Sequence, residues 1–313
     1  MDKILIEVPT WLGDCVMATA SIENIVKAYP DVKITIFGSF VATAVFEEHP
    51  NVEAIIVDES RKAPSRLMWL IKRAKVLGKF DASLTFRRTF SSKVFIFFSK
   101  AKKKGYYRRY TKEIKHQVLR YNDFICKLFQ QKFPAGDLKL YFSTESYQKP
   151  LLGINPGASY GSAKRWYPEK FAEVAAALST QYDIILFGGP GEVDMAKDIE
   201  NKLKQQDISN YTNLAGKTDI QTLCQKIGGL DLFITGDSGP MHVAAAYQVP
   251  TISIFGPTKD EETSQWHNPN SRIVKKEMDC APCMKRTCPL GHHECMKLIE
   301  AEDILTAVKE LKC

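Results

Sequence analysis

The sequence predicts an α/β protein built from two doubly wound parallel sheets, one in each half of the chain. Three observations carry that reading. Short apolar runs without alternation recur: ILIEV, KITIFG, AIIV and ASLTF in the first half, then LLGIN, DIILF, DLFIT and TISIF in the second. A strand covered on both faces needs such a run, whereas a strand with one wet face alternates. Stretches of helical spacing separate the runs, and strand–helix–strand repetition gives a parallel sheet. Finally, 313 residues exceed one ordinary core and suit two domains.

In chain order, residues 4–8 form the first strand, and the turn PTWLGD leads out of it. Helical periodicity covers residues 18–29 and stops at Pro30, which cannot continue a helix. Residues 33–38 and 54–57 are the next strands, with a helix over 41–48 between them, and residues 82–86 are the fourth. Helices are expected to dominate from there to Phe129. The polar segment STESYQKP then breaks the pattern and marks a hinge, giving domains 1–147 and 148–313. The second set follows: LLGINPG, a helix over 170–180, DIILFGG, a helix over 194–204, the short segment NLAGKT, and a helix over 220–227. DLFITGD, a helix over 241–247, TISIFGP and a closing helix over 301–312 complete it. Two such domains facing each other leave a central cleft, with ligands at the carboxyl ends of the strands that line it. No tandem repeat or low-complexity segment is present.

Hydrophobic content of 44% and charged content of 25% are those of a globular domain, which excludes a disordered or fibrous chain. No apolar run reaches the roughly 18 residues of a spanning helix. The N-terminal MDKILIEVPTW carries an acid at position 2 and no cleavage pattern, so a cytoplasmic protein is expected. The formal net charge of +7 hides an asymmetry: nineteen Lys or Arg stand against only Asp81 and Glu113 between residues 61 and 120. Lys100, Lys102, Lys103, Lys104, Arg108 and Arg109 carry much of it, interleaved with Phe95, Phe97, Phe98, Tyr106, Tyr107 and Tyr110. Such a block attracts a polyanion: nucleic acid, an anionic membrane face or a phosphorylated lipid.

The chemistry concentrates in INPGASYGSAKRW and ITGDSGPMHVAAA. Each is an apolar run breaking into a Gly-, Ser- or Pro-rich turn, and the second opens a helix. A helix N-terminus offers N–H groups and partial positive charge to a phosphate. With Lys164 in one turn and Asp237 and His242 in the other, the pair reads as a nucleotide diphosphate site. Ser238 and Gly239 would supply the amides, and His242 shares a helix face with Ser238.

PTWLGDCVMA, NPGASYGSAKRWYPEKF, TGDSGPMHVAAA with ISIFGPT, and CAPCMKRTCPLGHHECM together resemble the bacterial heptosyltransferases of glycosyltransferase family nine, in order and over nearly the whole chain. The forms PTWLGD and PGA-x-x-G-x-AKRW look most like the heptosyltransferase II branch. The resemblance implies a GT-B fold, an ADP-heptose donor, and a lipid A–Kdo–heptose acceptor of the lipopolysaccharide inner core. It further implies inverting transfer onto the first heptose, with no cofactor. It makes Asp14 the general base, Lys164 the diphosphate cation, Ser159 a hydroxyl beside the phosphate, Asp237 a partner of donor sugar hydroxyls and Glu192 the ribose ligand. Asp194 lies close enough for a two-residue slip in that last match. Tyr160 stands where some relatives carry a second hydroxyl residue. Lys102, Lys103, Lys104, Arg108 and Arg109 are the expected acceptor contacts, holding the enzyme peripherally at the cytoplasmic face of the inner membrane with no nucleic-acid partner. Transfer of the first heptose (heptosyltransferase I) or of a later core heptose is the alternative within the class. A zinc-containing nucleic-acid-binding protein is the alternative outside it.

No Asp-x-Asp pair occurs, so metal-independent transfer is expected. Cys280, Cys283, Cys288 and Cys295 enclose His292 and His293; structural zinc, reduced packing thiols and disulfides are all open for them. Cys15 is expected to fill the buried face of the first helix, since no partner base for a nucleophile is recognisable.

Overall fold

The computed structural model describes residues 1–158 and 160–311. The chain divides into two compact units, Met1–Tyr141 and Phe142 to the C-terminal end.

The first unit contains strands β1 (Lys3–Glu7), β2 (Lys33–Gly38), β3 (Val52–Val57), β4 (Lys79–Thr85) and β5 (Lys100–Tyr106), with helices α1 (Leu12–Ala28), α2 (Phe40–Ala44), α3 (Arg66–Val76), α4 (Phe90–Phe98) and α5 (Gln117–Phe129). The sheet order is β3-β2-β1-β4-β5, and all pairs are parallel. Ile4, Leu5 and Ile6 at its centre are fully buried, as continuous apolar runs require.

Three elements depart from the sequence expectation. Helix α1 begins at Leu12, six residues before the predicted start, so Asp14 lies in its first turn and not in the turn preceding it. The cause is burial on every side: Gly13 and residues 15–22 are all buried, which erases the amphipathic period. The basic run at Lys100 is the edge strand β5, not helix, and α2 stops at Ala44. A lysine-rich edge discourages pairing with another chain.

The second unit contains β6 (Leu151–Asn155), β7 (Asp183–Leu186), β8 (Tyr211–Asn213), β9 (Leu232–Gly236), β10 (Thr251–Ile254) and β11 (Ser271–Val274), in the parallel order β11-β10-β9-β6-β7-β8. Its helices are α6 (Pro168–Leu178), α7 (Val193–Gln205), α8 (Ile220–Gly228), α9 (Gly239–Ala246), α10 (Asp260–Thr263), α11 (Glu294–Lys297) and α12 (Ala301–Leu311). The segment after Tyr141 packs here: Glu145 takes an ion pair from Lys226 at 2.9 Å, and Tyr247 donates its hydroxyl to the Phe142 carbonyl at 3.1 Å.

In each sheet the chain starts in the middle and builds outward in both directions. The order therefore reverses between β1 and β4 in one unit and between β6 and β9 in the other. At such a switch point the loops leave toward opposite faces and open a crevice at the strand ends.

Candidate active site

The two switch points carry most of the chemistry-bearing residues picked from the sequence motifs. In the second unit, β6 ends at Asn155 and β9 at Gly236, followed at once by Asp237 and by Ser238, the N-cap of α9. Ser238 does not cap the helix with its side chain. Its hydroxyl lies 3.3 Å from Asn155 Nδ2 and 3.0 Å from Thr235 Oγ1 instead. No side chain at the N-cap therefore occupies the first amides of α9, where the helix dipole favours an anion.

Lys164 stands beside that helix end. Its Nζ is 2.5 Å from Asp237 Oδ2, donates to the Asp237 carbonyl at 3.3 Å and lies 4.8 Å from the centre of the Tyr160 ring. The Asp237 carboxylate also accepts from Thr258 Oγ1 at 2.6 Å. Both charges are largely withdrawn from water, with side chains 12% and 6% exposed, so neither can be lost without leaving the other unbalanced. His242 is buried one turn into α9.

Glu192 closes the other side of the β6 loop. It is buried, and its Oε2 accepts the Gly189 N–H at 2.5 Å. A Cβ on Gly157 would sit 2.2 Å from its carboxyl carbon, so only glycine at 157 lets the carboxylate lie there. Asp194 is exposed on α7. Ser159 lies outside the described residues.

The segment preceding α11 locks this loop in place. Ala163 donates its N–H to the Arg286 carbonyl at 3.0 Å, and Tyr160 donates to the Met284 carbonyl at 3.0 Å. The Arg286 guanidinium stacks 5.2 Å from the Tyr160 ring. His293 bridges Tyr167 Oη (3.0 Å) and the Ala163 carbonyl (2.9 Å). Cys280, Cys283, Cys288 and Cys295 line one cavity of about 20 Å³ with His292 and His293, and all four are free thiols. Among the described residues no group of three or more His, Cys, Asp or Glu is arranged to hold a metal ion. Burial, with help from its three neighbours, pushes the Cys295 thiol up to about 11, while backbone N–H donors, His293 first, draw Cys288 below its usual value.

In the first unit, Asp14 follows β1 by seven residues in the first turn of α1. Tyr121 of α5 points its hydroxyl at Asp14 Oδ1 from 3.4 Å. Burial first, and then the Asp14 charge, hold the Tyr121 phenol well above its ordinary value, so it remains the donor. Cys15 is fully buried, donates to the Ala42 carbonyl at 3.1 Å and is likewise pushed far up by burial. It stays a thiol and packs, as its place on the helix predicts.

Beneath the β1 exit loop lies a buried ionic group that no sequence motif announces. Arg87, just past β4, donates Nε to the Val8 carbonyl at 2.9 Å and pairs with Glu7 (3.4 Å) and Asp58 (3.7 Å). Ser92 donates to Glu7 at 2.9 Å. Burial raises the Glu7 carboxyl despite the guanidinium beside it.

The five basic residues expected at the acceptor do not form one face. Successive residues of β5 point to opposite sides. Lys102 is tied to Asp81 at 2.7 Å, Lys103 reaches the Phe129 ring, and Lys104 donates to the Phe97 carbonyl at 2.5 Å. Arg108 stacks on Tyr110, and Arg109 is exposed.

A family model described as glycosyltransferase family 9 (heptosyltransferase) matches residues 70–294. A lipooligosaccharide heptosyltransferase 2 of Campylobacter jejuni is 44% identical over 318 residues, covering 99% of this chain and 98% of the relative. The lipopolysaccharide heptosyltransferase 2 of Escherichia coli K12 is 24% identical, covering 99% and 98%. Among solved structures, that of the E. coli ADP-heptose heptosyltransferase II matches with a TM-score of 0.81 at 22% identity, over 99% of this chain and 98% of that one. The α/β architecture expected from the strand runs is thus the GT-B fold.

Proposed function

The chain belongs to glycosyltransferase family 9, and from that premise we propose that it transfers heptose from ADP-heptose to the first heptose of a lipid A–Kdo–heptose acceptor, with inversion and without a metal ion. The observation that carries the donor half is the end of α9. Its amides lack a side-chain cap at Ser238, and the Lys164 ammonium stands beside them at the β6/β9 switch point. That arrangement suits a diphosphate.

In this reading the acceptor hydroxyl oxygen attacks the anomeric carbon from the side opposite the diphosphate. Asp14 takes the hydroxyl proton as the new C–O bond forms, and Tyr121 holds the carboxylate in place. The bond from the anomeric carbon to the diphosphate oxygen breaks, and its electron pair leaves on ADP. Lys164 has three N–H donors and can share them between Asp237 and a phosphate oxygen. The Ser238 and Gly239 amides, His242 and the Ser159 hydroxyl complete the phosphate contacts. Asp237 also receives donor sugar hydroxyls, and Glu192 receives the ribose pair. Of the five basic residues expected there, Lys103, Lys104, Arg108 and Arg109 attract the anionic acceptor, Lys102 being paired with Asp81, with the enzyme peripheral at the cytoplasmic membrane face. Nucleic acid is not a partner in this account.

A transfer assay with acceptors bearing zero, one or two heptoses tests the assignment. Turnover is expected with the one-heptose acceptor, at full rate in excess EDTA. Preference for the heptose-free acceptor would make the enzyme one that adds the first heptose. A loss in EDTA restored by Mg²⁺ would overturn the metal-free step.

A further inference from the structure

Along the free edge of the first sheet, α4, β5 and α5 enclose a groove of about 710 Å³. Its size falls in the range of pockets that hold one small ligand. Its walls are aromatic and aliphatic: Phe90 and Phe97 on α4 are 71% and 63% exposed, and Val94 on α4 and Leu128 on α5 line it with them. Phenylalanine held this far into water on a helix with a well-buried opposite face (Ser92, Phe95, Ile96) has a surface to offer rather than a core to fill.

The rim is cationic. Lys93, Lys104, Arg108 and Lys127 line the groove, and among the described residues no carboxylate does. Three of them lie over aromatic faces: Lys104 at 5.5 Å from Phe97, and Arg108 and Lys127 at 5.3 and 4.6 Å from Tyr110. Those contacts steady each charge without neutralising it. Elsewhere on the same strand Lys102 is neutralised by Asp81. A polyanion such as nucleic acid would find no continuous flat track here, and a neutral lipid would leave four cations unanswered.

We propose that this groove binds the acylated, phosphorylated end of a glycolipid, the phosphate held at the Lys104–Arg108–Lys127 rim and an acyl segment laid against Phe90, Val94 and Phe97. This rests on the acceptor reading above and sharpens it. The groove reads the lipid anchor of the acceptor, and the sugar is read elsewhere.

The test uses the full chain and a monomeric probe, dihexanoyl phosphatidic acid, with Kd measured by calorimetry. Inorganic phosphate and dihexanoyl phosphatidylcholine are expected to bind at least about tenfold more weakly, since phosphate has no acyl chain and the choline cation of phosphatidylcholine cancels its phosphate charge before the basic rim. Phe90→Ser with Phe97→Ser, both exposed sites, should weaken the phosphatidic acid about tenfold with an unchanged melting temperature. Lys127→Ala should weaken it by a similar factor and leave phosphatidylcholine alone. Inorganic phosphate binding as tightly as the lipid, and indifferent to the double serine variant, would reduce the groove to a cationic patch. Binding to phosphatidylglycerol-containing vesicles with none to the monomeric probe would make it a membrane face; either result overturns the proposal. In transfer assays the double serine variant should raise KM for acylated acceptor only, with kcat/KM for a deacylated acceptor unchanged. An equal rise for both acceptors would also overturn it. No turnover by the wild type with either acceptor, beside the expected lipid binding, would remove the transfer reading and leave the groove standing.

Discussion

Asp14→Asn leaves ADP-heptose bound at near-wild-type affinity and slows transfer by about 10²- to 10⁴-fold, the usual contribution of a general base. The amide is the same size and still accepts the Tyr121 hydroxyl, which lies 3.4 Å from Asp14 Oδ1. It cannot take a proton from the acceptor. Loss of a negative charge in the first turn of α1 weakens that helix by less than about 1 kcal/mol, so the fold survives. Single-turnover kinetics with donor affinity measured alongside separate the two effects. A variant that turns over at the wild-type rate would remove Asp14 from the mechanism.

Lys164→Ala has the second large effect, and the structure divides it in two. Removing the ammonium strips a charge-assisted contact from the diphosphate, about 1.5–3 kcal/mol or roughly ten- to more than a hundredfold in ADP affinity. It also strands the Asp237 carboxylate, 6% exposed, with the Thr258 hydroxyl as a remaining partner. Breaking a buried pair from one side costs about 3–5 kcal/mol of stability. The double change Lys164→Ala, Asp237→Asn should recover most of the melting temperature while ADP binding stays weak. If calorimetry found wild-type ADP affinity in that double variant, Lys164 would be an internal counter-ion to Asp237 and nothing more.

The central strands were readable because strands buried on both faces carry unbroken apolar runs, as Ile4–Leu5–Ile6 does. The edge strand β3 keeps a short run, AIIV, but the edge strands β5, β8 and β11 carry none. In β5 the lysines hide the strand within a stretch expected to be helical; β8 and β11 are three and four residues long and half exposed. The start of α1 was hidden for the opposite reason, since a helix buried all round shows no period. The same contrast holds at the site. Lys164, Asp237, Ser238 and Glu192 follow strand ends in Gly- and Pro-rich turns, a local signal. Asn155 sat within a quoted motif unremarked. Thr258 likewise sat within ISIFGPT, whereas Arg87 and Tyr121 come from elements distant in sequence from the residues they hold, and no spacing announces them. Nor could the Lys102–Lys103–Lys104 run reveal that successive lysines of a strand point opposite ways.

The proposed reaction is a single displacement, with Asp14 taking the acceptor proton and Lys164 and the α9 amides receiving the departing diphosphate. The anomeric configuration of the heptose in the product, determined by NMR after one round of transfer in EDTA, tests it most directly. One displacement predicts inversion of the configuration found in ADP-heptose. Retention would require two displacements or attack on the face that the diphosphate leaves, and would contradict the account.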